Sequence, residues 1–173
     1  MTDMPEVWLR GPVAGIPPVL QPVAHSLLQS LEEVKRHLTG LAASQIWTRP
    51  GGAGSAGFHV RHAAGSLDRL FTYARGEQLS SGQMADLRDE GPENSDVDAA
   101  KLIAAFETAV DRALQQLRAT QDTTLLEGRG VGRAQLPSTA LGLLFHAAEH
   151  TQRHMGQMAT ICAVVVSGGR PTS

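Results

Sequence analysis

Four segments of the chain repeat apolar residues at alternating intervals of four and three, the spacing of a helix that buries one stripe. The predicted helices run from about Val19 to Leu38, from about Ala56 to Ala74, from the Ser95–Asp98 region to about Ala119, and from Pro137 or Ser138 to about Val165. Each stripe is too apolar to face water alone, so each helix needs partners. The sequence therefore predicts an all-α fold, namely a four-helix bundle.

The segments outside the helices divide the chain further. Residues 1–18 are rich in proline and glycine and predict an extended N-terminal arm, followed by the bundle over 19–167 and a flexible tail over 168–173. The polar connection over 77–95 is long for antiparallel neighbours, so it predicts a long crossover between helices two and three. A second loop over 120–136 contains the stretch GRGVGR, which suits a short hairpin.

Composition excludes several functional classes. With 15 basic and 17 acidic residues and no basic stripe, the chain has little attraction for nucleic acid. The longest apolar run, ICAVVV, is far shorter than the roughly 20 residues of a membrane span. The single cysteine, Cys162, excludes an internal disulfide and a Cys-rich zinc module, and it suits a reducing compartment. We therefore expect no nucleic-acid partner, no membrane partner and a cytoplasmic location.

Histidine is the residue type that points to chemistry. His150 and His154 are four residues apart and share one helix face, while His62 lies far upstream on the second helix. Spacing leaves alternatives open, because His146 also lies four residues before His150, and His59 is nearer than His62 to the centre of its apolar arc. Buried without partners, each imidazole would cost roughly 1–3 kcal/mol, so each needs a metal, a carbonyl, a carboxylate or a water.

A family resemblance separates these alternatives. The run Trp47-x-x-Pro50 followed by a Gly/Ser loop and His62-Ala63, and the run His150-x-x-x-His154-x-Gly156-Gln157, resemble the DinB superfamily over residues 20–165. Members are four-helix bundles, often with a long connection between helices two and three. Three histidines, one from helix two and two from helix four, hold a divalent metal in them.

The resemblance implies that His62, His150 and His154 are the metal ligands. It sets aside His59 as a residue behind or beside the site, and His146 as a core imidazole bonded to a neighbour. Met155 departs from the family pattern, which often has arginine at this position, without touching the ligand set. We also expect Gly156 to let another helix approach closely.

Three imidazoles suit Zn or Ni, and also Fe, Mn or Cu, and three protein ligands leave a coordination position for water or substrate. The resemblance implies a metal-dependent enzyme, either a thiol-dependent S-transferase or a hydrolase. Its substrate would be a small molecule, with a low-molecular-weight thiol as the candidate, and its catalytic residues stay unassigned. The alternatives are a non-catalytic metal-binding stress or sensor protein and a helical dimerisation module. We expect a homodimer, with Trp8 and Trp47 as its best anchors.

Overall fold

Long helices dominate the computed structural model, which describes residues 4–91, 94 and 96–168. The helices are α1 (Gln21–Leu38), α2 (Ala43–Ile46), α3 (Ala56–Ala74), α4 (Ser81–Asp89), α5 (Ala99–Ala119) and α6 (Ala140–Val166), and the strands are β1 (Gly128–Val131) and β2 (Leu136–Thr139). Short 3-10 turns cover Val7–Arg10, Pro18–Leu20, Pro50–Gly52 and Asp122–Thr124. The protein is mostly helical, as the sequence predicts.

The long helices α1, α3, α5 and α6 share one apolar core. Helix α6 packs against α3 and α1, and α5 packs against the same two helices from the other side. Each long helix contributes at least one large side chain that is fully buried, such as Leu27, Leu67, Phe106 and Met155. The predicted stripes therefore meet in this core, and the contact between α3 and α6 is the one that positions the histidines. None of the described helices combines the length and hydropathy that a membrane-spanning segment requires.

Side-chain caps fix where the long helices begin. Ser55, Asp98 and Thr139 accept hydrogen bonds from the third backbone N–H that follows them, at the starts of α3, α5 and α6. Ser95 lies outside the described residues. The prediction that α6 begins at Pro137 or Ser138 is wrong, because both residues belong to β2, which pairs with β1 in an antiparallel hairpin. The hairpin itself was predicted.

The crossover between α3 and α5 contains a helix, α4, which the sequence analysis did not predict. Ser80 Oγ accepts a hydrogen bond from the backbone N–H of Gln83 at 3.1 Å, and Gln83 Oε1 accepts one from the N–H of Ser80 at 2.9 Å. This pair is a capping box, and it was the available sequence signal. Gln83 Nε2 also donates to Asp68 Oδ2 at 2.6 Å and to Thr72 Oγ1 at 2.7 Å. The start of α4 is thus fixed to α3.

The N-terminal arm lies against α1. Val7 is buried, and its backbone N–H donates to Gln29 Oε1 at 3.0 Å. Arg10 forms a two-pronged ion pair with Glu32. The arm includes the 3-10 turn over Val7–Arg10, which the proline and glycine pattern did not predict. At the other end, α6 ends before Gly168, which has a positive φ of 67°, and the rest of the predicted tail lies outside the described residues.

Candidate metal centre

Imidazole rings from α3 and α6 converge on one spot where these two helices touch. His62 Nε2 lies 3.0 Å from His150 Nε2. The ring centroid of His154 lies 4.6 Å from that of His62 and 4.6 Å from that of His150. Each of the three rings offers one nitrogen, and these nitrogens lie within 4.8 Å of one another. The structure therefore brings His62 together with His150 and His154, although 88 positions of the chain separate His62 from His150.

His59 joins this group from the preceding turn of α3. It is buried, and its Nδ1 lies 2.9 Å from Nδ1 of His154. The helical wheel correctly predicted that His59 points inward. The position of His59 next to His154 is also compatible with the place behind or beside the site that the resemblance implied for it. Both histidines of α3 thus reach the site, because residues three positions apart share a helix face.

His146 lies at the exposed edge of the group, with its ring centroid 5.5 Å from that of His150. Its side chain is 51% exposed, and its Nδ1 lies 3.4 Å from Glu149 Oε2 on the same helix. The prediction of a core imidazole is wrong, because the buried stripe of α6 passes through Leu143, Ala147 and Thr151, and His146 lies outside it. The expectation for Gly156 is also wrong, since a Cβ there would meet no atom within 4 Å.

A carboxylate that the sequence analysis did not predict contacts the site. Glu90 follows α4, is only 6% exposed, and places its Oε2 2.8 Å from His62 Nδ1. Arg69 Nη1 donates to the other oxygen of Glu90, and Arg61 donates to its backbone carbonyl. No spacing rule could have found this contact, because Glu90 arrives from a crossover whose docking is a tertiary event. The ligand group is therefore connected to the crossover.

The sequence model of the DinB superfamily matches residues 26–158, which is well over half of the chain. The chain belongs to the DinB superfamily. Two solved structures share the fold: a conserved protein from Enterococcus faecalis, at 16% identity and a TM-score of 0.71 over 88% of this chain and 99% of that one, and a DinB-like protein from Bacillus cereus ATCC 10987, at 15% identity and a TM-score of 0.60 over 82% of this chain and 91% of that one. At these identities the likeness concerns the fold alone. No curated protein matches the chain.

Burial favours the neutral form of three imidazoles of this DinB site, those of His59, His150 and His154. Burial, followed by repulsion from the neighbouring imidazoles, lowers the pKa of His154 to about 4. The same two causes lower the pKa of His59 and of His150 below the ordinary value. Burial would raise the pKa of Glu90, but hydrogen bonds from His62 and Arg69 hold that pKa below its usual range. At neutral pH the site is an ionised carboxylate beside the uncharged rings of His59, His150 and His154.

The Glu90 contact also sets the proton positions. An ionised carboxylate can only accept hydrogen bonds, so a neutral His62 carries its proton on Nδ1 and donates it to Glu90. Its Nε2 then has a free lone pair, and the short contact to His150 requires the proton on Nε2 of His150. If the proton of His150 moved from Nε2 to Nδ1, the Nε2 atoms of His62 and His150 would both have free lone pairs. A cation could then bind between these two nitrogens.

A small cavity adjoins the histidines. Its volume is about 280 Å³, and it is lined by Trp47, Arg49, Gly54, Ser55, Phe58 and Gly91. The ring of Phe58 stacks on His62 with centroids 5.6 Å apart, so the cavity and the imidazoles share a wall. Trp47 is only 3% exposed and donates its Nε1–H to the Val97 carbonyl at 2.9 Å, so it is not available as a dimer anchor.

A second cavity, of about 670 Å³, lies elsewhere on the molecule, between the arm, α1 and one residue of α6. Its lining includes Trp8, Glu33, His25 and Gln152, but none of the four clustered imidazoles. Size alone therefore does not mark the place of chemistry, and the smaller cavity is the one that shares Phe58 with the imidazole group.

Proposed function

We propose that this DinB superfamily member is a divalent-metal-dependent enzyme, either a thiol-dependent S-transferase or a hydrolase. His62, His150 and His154 are its metal ligands. The observation that carries the proposal is the convergence of three imidazole nitrogens within 4.8 Å of one another from two helices. We propose Zn or Ni as the metal, with Fe, Mn or Cu as further candidates; imidazole suits Zn, Ni, Fe and Cu best among these ions.

The residues fit a metal in two respects. The rings of His150 and His154 are neutral at pH 7 because burial lowers their pKa, and metal binding needs deprotonated imidazole. The nitrogen of His62 on the metal side faces another imidazole, while its other nitrogen is bonded to Glu90. A histidine ligand typically has such a carboxylate on its outer nitrogen.

A metal on three histidines retains a position for an exogenous group and lowers the pKa of a water or thiol bound there. The chain's own residues would define what can approach. Phe58 covers one face of His62 and excludes water from that side, and the cavity of about 280 Å³ beside it admits only a small molecule. Arg49 lines the same cavity and offers a positive charge to an anionic substrate group.

Elemental analysis of protein purified without an affinity tag tests the ligand set. Wild type should carry roughly one metal per chain, as a single site of three histidines requires. Alanine at His62, His150 or His154 should remove it. The matched controls are His146→Ala, on α6 but exposed, and His25→Ala, on α1. A wild type that binds no added zinc, nickel, iron, manganese or copper would exclude the proposal.

The reaction class is tested on metal-loaded protein with a panel of low-molecular-weight thiols plus electrophiles, and separately with ester and amide substrates. Transfer without hydrolysis selects the S-transferase, and the reverse selects the hydrolase. Stoichiometric metal with no turnover in either panel favours the sensor alternative. Unchanged folding after simultaneous Leu substitution of the three histidines, with no metal in wild type, favours the dimerisation module. The homodimer and the cytoplasmic location stay predictions.

A further inference from the structure

We infer that Glu90 is a positioning residue for the metal centre and that it couples the crossover helix α4 to metal binding. The inference rests on the proposed function, because it assumes that His62 is a ligand. Glu90 itself does not reach the other imidazoles in the contacts that the structure describes. It acts through His62.

The first observation is that Glu90 is held from several sides. Its two oxygens are divided between His62 Nδ1, at 2.8 Å, and the buried guanidinium of Arg69. Arg61 holds its backbone carbonyl. A buried carboxylate with two charge-assisted or polar partners has little freedom to move, so the direction of the His62 ring is fixed with it.

The second observation is that α3 provides space for this carboxylate. Gly65 lies in the middle of α3, three residues after His62, and a Cβ at that position would overlap Glu90 Oε1. Glycine inside a helix costs roughly 0.5–1 kcal/mol relative to alanine, so it is unfavourable without a packing reason. Here the reason is the close approach of Glu90.

These contacts select the form of His62 that can bind a cation. Glu90 keeps the proton of His62 on Nδ1, which leaves Nε2 as the free donor atom on the side of His150. Without the carboxylate, the ring could rotate or carry its proton on Nε2, and metal binding would first have to restore the productive form.

Coupling to the crossover follows from linkage. Glu90 directly follows α4, and α4 is attached to α3 at its other end through Gln83. A metal that favours the His62 form bonded to Glu90 must also favour docking of the end of α4, and docking must favour the metal to the same degree. Metal binding should therefore protect the backbone amides at the end of α4 from hydrogen exchange.

The experiment compares Glu90→Gln and Gly65→Ala with wild type. Zinc affinity is measured by competition with a chromophoric chelator, and hydrogen exchange over 81–90 is measured with and without zinc. Both variants should bind zinc about 10–100-fold more weakly, the range typical for loss of an outer-shell partner. Both should also lose the zinc-dependent protection of α4. Glu90→Asp, which keeps the charge, should recover part of the affinity.

Glu149→Gln is the matched control, because it removes an exposed carboxylate beside His146 and should leave zinc affinity within about twofold. Circular dichroism of the metal-free proteins checks folding, and where Glu90→Gln does not fold, Gly65→Ala and Glu90→Asp give the answer. Folded variants with wild-type zinc affinity and unchanged protection overturn the inference alone. A wild type that binds neither zinc nor any other of the proposed metals overturns the proposed function instead.

Discussion

The polar side chains on the two sides of α6 meet their hydrogen-bonding needs in different ways. On the side of α1, Gln152 Nε2 donates to the Ser26 carbonyl at 2.8 Å and to Ser30 Oγ at 2.9 Å, and Ser30 Oγ donates back to the Ser26 carbonyl. These groups satisfy one another with ordinary donors and acceptors. On the side of α3, ring nitrogens of His62 and His150 face each other at 3.0 Å.

This difference separates a structural polar cluster from a candidate metal site. The serine and glutamine groups need nothing from outside, since each described donor finds an oxygen. Each nitrogen–nitrogen contact between imidazoles needs one proton, and it fails as a hydrogen bond when both facing nitrogens carry protons. A bound cation would occupy the imidazole lone pairs and remove this competition for protons. The contrast therefore predicts that metal binding depends on the α3 side of α6 and leaves the hydrogen bonds of the α1 side unchanged.

The largest expected effect comes from substituting neighbouring residues on opposite sides of α6 and comparing their zinc affinities. His154→Ala should weaken zinc binding by more than about 100-fold, beyond what loss of an outer-shell partner costs. Gln152→Ala should leave zinc affinity within about threefold. Titration with a chromophoric chelator measures both, and zinc at 100 times its Kd should raise the Tm of Gln152→Ala by roughly 5–10 °C. Equal losses in the two variants would show that the sides are not distinct.

Close packing on the α3 side gives the next largest effect. A Cβ at Gly57 would lie 2.9 Å from ring atoms of Trp47, which is buried and bonded to the Val97 carbonyl. Since a rigid ring cannot yield as a flexible side chain does, Gly57→Ala should lower the free energy of unfolding by about 1–3 kcal/mol. Urea denaturation measures this change. In a Trp47→Leu background the same substitution should cost clearly less, and an equal cost in both backgrounds would contradict the packing argument.

The imidazole side should also respond to acid. The folded-state pKa of His154 is about 4, against 6.5 ordinarily, so the unfolded chain binds this proton more tightly between these values. In the metal-free protein, the contribution of the neutral His154 ring to the free energy of unfolding is therefore fully present above pH 6.5. It is lost as the pH falls towards 4. The expected loss is about 1–2 kcal/mol after allowance for solvent screening of a half-buried ring. Denaturation at several pH values measures it, and His154→Leu should flatten the curve, whereas Gln152→Ala should not.

The closed cluster on the α1 side should show a smaller, metal-independent effect. Gln152→Ala and Ser30→Ala each remove hydrogen bonds of ordinary strength, so each should cost about 1 kcal/mol, with a coupling of about 0.5–1 kcal/mol between them. A double-mutant cycle by urea denaturation, run with and without zinc, gives the coupling. Zinc should leave the coupling unchanged, and a zinc-dependent coupling would mean that the two sides of α6 communicate.

The fold was predictable from sequence where an element carries its own pattern. The bounds of α3 match the prediction at both ends, since the Gly-rich loop and Ser55 precede the stripe and Gly76 ends it. Helix α4 was missed because it has no apolar stripe, although its Ser80–Gln83 capping box was present. The start of α6 was misplaced because local signals at Pro137 suit a helix, whereas pairing with β1 decides the structure.

The candidate site was predictable only in part, for a physical reason. Helical spacing places His150 and His154 on one face, and it places His59 nearer than His62 to the centre of its apolar arc. Spacing does not say which histidines of the two helices meet. The family resemblance supplied that information. Glu90 was beyond prediction because its contact with His62 depends on how the crossover docks, which neither period nor spacing encodes.

The smallest effect concerns a glycine on the outer face of α6, and its sign is opposite to that of Gly57→Ala. A Cβ at Gly156 would meet no atom within 4 Å, so alanine there fills open space and removes the conformational freedom of glycine from the unfolded chain. Gly156→Ala should therefore raise the free energy of unfolding by about 0.5–1 kcal/mol and the Tm by roughly 1–4 °C. Thermal and urea denaturation measure this change.

Zinc affinity should stay within about twofold, because Gly156 lies two residues from His154 and so on a different face of the helix. A destabilised variant would instead indicate a partner surface against Gly156 that the single chain does not contain.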